Sequence, residues 1–132
     1  MKTADLRQNN IILDKHGNFA KVVTIGMGES IRLTSHKLGY KFESCRLDEC
    51  KEILLTEEIL LKCDNGEMGI AWKEKSYRGK YATISISGIL FYFFTDNNTL
   101  ELSCRHDFKI QFLHQFQNLF SALTQTELEI KL

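Results

Sequence analysis

The sequence has 132 residues, of which 43% are hydrophobic and 26% charged, and it contains no proline. This length and composition are typical of a folded globular domain and unlike the low-hydrophobicity, high-charge composition of disordered chains. Because its 17 basic and 17 acidic side chains cancel, the overall charge gives no attraction to nucleic acid, and such binding would need a local basic patch.

Neither secretion nor membrane insertion is predicted. The first ten residues, MKTADLRQNN, lack the apolar run of a secretory signal, and the most apolar segment, residues 88–94, is far shorter than a membrane span. We therefore expect a cytoplasmic protein with no membrane partner. In that compartment, thiols should be reduced and mostly buried. The cysteines concerned are Cys45, Cys50, Cys63 and Cys104.

Short apolar runs separated by turn residues occupy the first part of the chain. Ile11–Leu13 and Phe19–Ile25 are two such runs, while Ile31–Leu33 and Tyr40–Leu47 alternate apolar with polar or small residues, as half-buried strands do. Four or five short antiparallel strands in so short a segment predict a small SH3-like barrel or curled sheet over residues 1–54.

Residues 55–132 are predicted to form a second subdomain, packed with the first as one compact unit. Thr56 is a good N-cap for a two-turn helix that should end near residues 64–66. Apolar runs separated by turn residues then predict a β-meander. Its strands are expected at 68–72, 81–87, 89–95 and 99–104, and the wholly apolar strand among them should be central and covered on both faces.

The last part of the chain carries the strongest helical pattern. After Asp107, a candidate N-cap, apolar residues recur at steps of three and four. They are Phe108, Phe112, Leu113, Phe116, Leu119, Phe120 and Leu123. We expect an amphipathic helix whose aromatic face covers the meander, and then a short strand over residues 127–132. The predicted fold class is α+β.

Two motifs resemble those of a family of small uncharacterised proteins encoded in Bacteroidetes genomes, often in prophages or other mobile elements. The first is Leu55–Lys62, and the second is Phe112–Thr124 followed by Glu127 and Leu128. Relatives commonly have proline and glycine where this chain has Leu54 and Gln125. The resemblance implies no established activity, cofactor or site residue.

Cys104, His106 and His114 form the only Cys/His cluster in the sequence. A metal needs three or four convergent ligands, and a helix starting at Asp107 would place His114 about 10 Å from its first turn. Cys104, His106 and Asp107 are also the residue types of a cysteine-hydrolase triad, but adjacent strand residues point to opposite faces and no oxyanion glycine pattern surrounds the cysteine. We therefore predict no catalytic residue, metal or cofactor.

Two segments could contact a partner. Residues 72–81 combine aromatic and basic side chains, which can stack bases and hold phosphates, or can form a solvated hairpin loop. The candidates there are Lys73, Lys75, Tyr77, Arg78 and Lys80. The polar face of the last helix is nearly uncharged, which suits contact with a partner protein or a second subunit, or is an ordinary exposed face. Its candidates are His114, Gln115, Gln117 and Asn118.

The leading hypothesis from sequence is a non-enzymatic binding or accessory module, with an unidentified protein or a second copy of the chain as partner. The alternative is a nucleic-acid-binding protein that uses the small barrel and the basic segment 73–80. The two hypotheses differ in their dependence on salt, because phosphate contacts weaken steeply as salt rises.

Overall fold

The computed structural model describes residues 6–26, 30–35, 42–63, 68–73 and 79–131. Within these ranges the fold is α+β, as predicted, with two antiparallel sheets, two α-helices and one 3₁₀-helix. The chain divides into two compact units: Met1–Ile53 with Phe112–Asn118, and Leu54–Gln111 with Leu119–Leu132. The subdomains 1–54 and 55–132 stay a prediction.

The sheet of the first unit has four strands in sequence order, all antiparallel to their neighbours. They are β1 (Ile11–Leu13), β2 (Phe19–Ile25), β3 (Ser30–Ser35) and β4 (Phe42–Arg46). The first two have the bounds that the apolar runs predict. Tyr40 and Lys41, at the start of the predicted fourth strand, lie outside the described residues.

Alternation along β2 and β3 builds the core of this unit. Lys21 is exposed between buried Ala20 and Val22, and Arg32 is exposed between buried Ile31 and Leu33. Since successive strand side chains point to opposite faces, one face of the sheet is apolar. The buried cluster comprises Leu6, Ile12, Ala20, Val22, Ile31, Leu33, Cys45, Leu47 and Cys50.

A 3₁₀-helix over Leu47–Glu49 follows β4 and turns the chain back toward β1. Lys51 then exchanges two backbone hydrogen bonds with Leu13, of 2.9 and 3.0 Å. In the described part of the chain the sheet is open, with β1 and β4 as its edge strands. The bridge at Lys51 satisfies backbone groups on the outer side of β1.

The second unit contains helix α1 (Glu57–Cys63) and a five-stranded antiparallel meander. The strands are β5 (Gly69–Lys73), β6 (Tyr81–Ile86), β7 (Ile89–Phe94), β8 (Thr99–Leu102) and β9 (Arg105–Ile110). Thr56 is the N-cap of α1, as predicted, because its Oγ1 accepts the backbone N–H of Ile59 at 3.3 Å. The predicted helix end at residues 64–66 lies outside the described residues.

The two faces of the meander differ in burial. In the register of β6 and β7, Ala82 lies opposite Phe93 and Ile84 opposite Phe91, and all four side chains are buried. The other face is only half-buried or exposed along these strands. The expectation that β7 is covered on both faces is therefore wrong, although β7 is the central strand of the sheet.

The predicted start of the last helix is also wrong. Residues 105–110 form strand β9, which pairs with β8, and helix α2 spans Leu113–Thr124. The polar residues Arg105, Asp107 and Lys109 alternate with less polar neighbours in this segment, which is the period of a strand. Asp107 is thus not an N-cap. At the helix start, the side chain of Gln115 accepts the N–H of Phe112 at 3.2 Å, as in a capping box.

The expected closing strand is absent from the described residues 127–131. Leu128 is nevertheless buried, and the backbone N–H of Lys131 donates to the C=O of Lys62 at 2.9 Å. Among the described residues, neither α-helix combines the length and the apolar content that crossing a bilayer requires.

Candidate functional site

The half-exposed face of the meander carries three aromatic rings in mutual contact. Tyr81 lies opposite Phe94 in the register of β6 and β7, and Tyr92 follows on the same face opposite Thr83. The ring centroids are 6.0 Å apart for Tyr81 and Phe94, 6.1 Å for Tyr81 and Tyr92, and 6.2 Å for Tyr92 and Phe94. Cross-strand aromatic pairs of this kind stabilise a sheet, and their rings add apolar contact area to its surface.

Residues around the rings complete a surface that we call the aromatic face. It is formed by the residues of β5, β6 and β7 that share the side of the sheet with Tyr81. These are Ala71, Lys73, Tyr81, Thr83, Ser85, Leu90, Tyr92 and Phe94. On β8 the same side carries Thr99 and Glu101, which are both buried. The aromatic face is therefore accessible on β5, β6 and β7, and Lys109 of β9, which pairs with Glu101 on the same side of the sheet, is exposed as well.

Two lysines of the predicted basic segment are described, and they have different surroundings. Lys73 is exposed and lies opposite Tyr81 on the aromatic face. The ammonium of Lys80 is 2.6 Å from Glu57 Oε1 and 5.0 Å from the ring centroid of Trp72. Its charge is thus already matched by a carboxylate and an aromatic ring. Lys75, Tyr77 and Arg78 lie outside the described residues.

Two candidates on the predicted polar face of α2, Gln117 and Asn118, belong to the first unit and make hydrogen bonds within it. Gln117 Oε1 accepts the backbone N–H of Ile11 at 2.8 Å, and its Nε2 donates to the C=O of Asn9 at 3.2 Å. Asn118 Oδ1 accepts hydrogen bonds from Arg7 Nε at 2.7 Å and from Asn10 Nδ2 at 2.8 Å. These amides bind segments of their own chain.

Two of the four candidate residues on this face of α2 are buried. His114 and Gln117 are 1% and 2% exposed, so the expectation of an exposed polar face is wrong for these two residues. The side chain of Gln115 is half-buried and accepts the N–H of Phe112. Contact of a partner with the remaining accessible part of Gln115 or Asn118 stays a prediction.

Cysteine and histidine side chains do not converge on a metal site within the described residues. Cys104 is exposed in the turn between β8 and β9, whereas Cys45, Cys50 and Cys63 are buried free thiols. The expectation that most of the cysteines are buried is confirmed for the described chain.

A groove with a cavity volume of about 610 Å³ lies in the second unit near the start of α1. It is lined by Thr56, Glu57, Glu58, Leu61, Thr95 and Asn98. Two charged residues line the groove, Glu57 and Glu58. Glu57 forms an ion pair with Lys80, whereas Glu58 forms none with the described residues. The lining thus combines these two carboxylates with the polar side chains of Thr56, Thr95 and Asn98.

Sequence reasoning missed the aromatic face. Residues 89–94 form a continuous apolar run, so the sequence pattern does not show which of these side chains face solvent. The alternation in β6 is the signal that could have found it. Thr83 and Ser85 mark the more polar side of this strand, and Tyr81 lies on the same side. No family model, curated protein or solved structure with which the chain was compared matches it.

Proposed function

We propose that the protein is a non-enzymatic binding or accessory module and that the aromatic face is its binding surface. The observation that carries this proposal is the contacting triad of Tyr81, Tyr92 and Phe94 on a partly accessible face. Aromatic side chains supply a large contact area for little loss of conformational entropy and are enriched at interfaces. The proposed partner is another protein or a second copy of this chain.

Two finer features of the fold belong to this proposal. An SH3-like first unit is supported by the four-stranded antiparallel order, the 3₁₀-helix after β4 and the return of Lys51 to β1. Covering of the meander by α2 is supported by the complete burial of Phe120 and by the 3.1 Å hydrogen bond from Ser87 Oγ to the C=O of Leu123.

The proposed setting is the cytoplasm of a bacterium, with an origin in a prophage or another mobile element. It rests on the resemblance of residues 55–62 and 112–128 to the small Bacteroidetes proteins. A binding module suits this setting, because such a protein acts through the partner that it contacts and needs no site chemistry of its own.

Two neighbouring residues of β7 give a matched test of the surface. Leu90 is 39% exposed on the aromatic face. Ile89 is 38% exposed but lies on the opposite side of the sheet, with buried Phe91. Leu90→Ser and Ile89→Ser remove similar apolar areas from adjacent positions. We expect Leu90→Ser to weaken self-association in sedimentation, or capture of the protein partner from host extract, by roughly 10-fold. Ile89→Ser should change neither.

Three outcomes would count against the proposal. Equal losses from both variants would assign the effect to the fold and not to the surface. Unchanged association of both Leu90→Ser and Tyr92→Ser would show that the aromatic face is not used. Turnover of hydrolase or nuclease substrates by the purified chain would contradict its non-enzymatic character.

Single-stranded nucleic acid is a second candidate ligand, and the position of Lys73 favours it. This lysine is exposed beside Tyr81, and none of the described carboxylates is within ion-pair distance of it. A cation that can contact phosphate, next to rings on which bases can stack, is the arrangement of sequence-tolerant single-strand binders. The neutral overall charge makes this local arrangement necessary for such binding.

Lys73→Glu and Lys62→Glu form a matched pair for this candidate, because both lysines are exposed in the second unit. Fluorescence anisotropy with labelled oligothymidylate and oligouridylate should show weaker binding for Lys73→Glu by roughly 5-fold, with a salt slope lower by about 1. Lys62→Glu should bind like the parent protein. Equal binding by both variants, or no binding at low salt, would reject nucleic acid as the ligand.

A further inference from the structure

Two cysteines of the first unit are in direct contact. Cys45 lies in β4 and Cys50 directly follows the 3₁₀-helix, and their Sγ atoms are 3.0 Å apart. The side chains are 6% and 7% exposed. A disulfide has an S–S distance of about 2.05 Å, so the two sulfur atoms need to approach by only about 1 Å to become bonded.

The local backbone explains why these thiols meet. The 3₁₀-helix turns the chain within Leu47–Glu49, and the backbone N–H of Cys50 donates to the C=O of Leu47 at 3.1 Å. The thiol of Cys50 also lies 3.6 Å from the C=O of Arg46, to which it donates. The pair is therefore positioned by a regular element and not by a chance approach of two loops.

The surroundings of the pair favour the protonated thiols. Burial, followed by the hydrogen bond with Cys45, raises the pKa of Cys50 to about 12. Burial also raises the pKa of Cys45; the hydrogen bond with Cys50 acts in the opposite direction, and the carboxylates of Glu43 and Glu49 add to the rise. Since the thiolate is the reactive form, the pair reacts slowly with oxidants in bulk solvent at neutral pH. Once one sulfur is modified, however, the second is already within reach.

We propose that Cys45 and Cys50 are a redox modification site, at which thiol–disulfide exchange with oxidised glutathione forms a reversible intramolecular disulfide. One cysteine loses its proton and attacks the glutathione disulfide, whose S–S bond breaks and releases one glutathione. The second cysteine then loses its proton and attacks the mixed disulfide, which releases the second glutathione. Two protein thiols are oxidised by two electrons, one glutathione disulfide is reduced, and the two protons pass to the leaving thiolates.

The disulfide would join the end of β4 to the segment that returns to β1. Lys51, the neighbour of Cys50, makes the two backbone hydrogen bonds with Leu13. A covalent link at this point restricts the unfolded chain and holds the return segment beside the sheet edge. Oxidation thus stabilises the first unit, and reduction restores the present arrangement of free thiols.

Proteolysis identifies the bond without ambiguity. Trypsin cleaves after Lys41, Arg46 and Lys51, so Cys45 and Cys50 fall in separate peptides, 42–46 and 47–51. The test uses the full chain with Cys63→Ala and Cys104→Ala, incubated folded in glutathione buffers from reducing to oxidising. We expect the two peptides to become covalently linked, with loss of two hydrogen atoms and a rise in Tm of roughly 5 °C. Dithiothreitol should reverse both changes.

Cys50→Ala in the same background is the control and should give neither the linked peptides nor the rise in Tm. The wild-type chain provides a second measurement that does not depend on any substitution, since the linked peptides 42–46 and 47–51 should also appear in its digest. The proposal is overturned if glutathione remains attached to single cysteines without linkage. Linkage that forms only in urea, or no modification of the folded protein at all, would overturn it equally.

Discussion

Gln117 and Ile11, which are 106 positions apart in the chain, are joined by a buried hydrogen bond of 2.8 Å from the backbone N–H of Ile11 to the side-chain Oε1 of Gln117. The amide nitrogen of the same side chain donates to the C=O of Asn9 at 3.2 Å. One glutamine therefore satisfies two backbone groups at the start of β1. A buried backbone group that loses its partner costs about 1–3 kcal/mol.

Gln117→Leu should lower the free energy of unfolding by about 2–3 kcal/mol, because it leaves the N–H of Ile11 and the C=O of Asn9 without this partner. Urea unfolding measures the change. Gln8→Leu is the matched control, since Gln8 is an exposed amide in the same unit and should shift stability by no more than about 0.5 kcal/mol. Equal effects of the two substitutions would contradict the role assigned to Gln117.

Gln125→Gly should stabilise the protein by about 1 kcal/mol. Gln125 follows the last residue of α2 with φ of 59°, and its N–H donates to the C=O of Ser121 at 2.8 Å. Glycine adopts this left-handed conformation without strain and is the usual residue after a helix end.

Gln125→Ala separates the effect of the backbone from that of the side chain. Alanine removes the glutamine side chain but keeps a Cβ at positive φ, so it should give no gain in stability. Thermal unfolding of the two variants provides the comparison. A gain from alanine as large as that from glycine would show that the backbone conformation of residue 125 is not the cause.

The ion pair at the start of β9 should be visible in a pH titration. Arg105 donates to Asp107 through Nη2 at 2.9 Å and Nε at 3.3 Å, and these hydrogen bonds lower the pKa of the Asp107 carboxyl. Arg105→Gln should raise this pKa toward the usual value of about 4, as followed by NMR. Arg46→Gln, which breaks the exposed pair with Asp48, is the control and should leave the pKa of Asp107 unchanged.

The sign of the accompanying change in stability follows from the direction of the shift. A carboxyl whose pKa is lower in the folded state contributes stability above its unfolded pKa of about 4. This contribution disappears as the pH falls through the lower, folded value. The difference in stability between the parent and Arg105→Gln should therefore be present near neutral pH and vanish in acid. It should be small, because both side chains are largely exposed.

Cys104 should be the first thiol to react with a disulfide reagent in the folded, reduced protein. It is exposed in the turn between β8 and β9, whereas Cys63 is fully buried and its burial raises the pKa of the thiol to about 12. We expect Cys63 to react at least ~100-fold more slowly at neutral pH, because so little thiolate is present. Cys104→Ser should remove the fast phase, and Cys63→Ser should leave it. A fast phase that survives Cys104→Ser would contradict this assignment.

The sequence alone determined where most strands lie. The apolar run Phe19–Ile25 and the alternation in Ile31–Leu33 indicate strands whatever their neighbours are, because strand geometry is local. The N-cap at Thr56 was predictable for the same reason, since an N-cap depends on residues within one helical turn.

Tertiary structure decided the rest. Phe108 and Ile110 fit both a helical and a strand period, and pairing with β8 selected the strand. The same is true of the candidate surface: Leu90, Tyr92 and Phe94 are as apolar as Phe91 and Phe93, and only the register with β6 shows which of them remain accessible. Gln117 owes its hydrogen bonds with Ile11 and Asn9 to how the folded chain places it. Such contacts depend on partner residues that the local sequence pattern does not specify. They therefore follow from the three-dimensional structure and not from the sequence pattern.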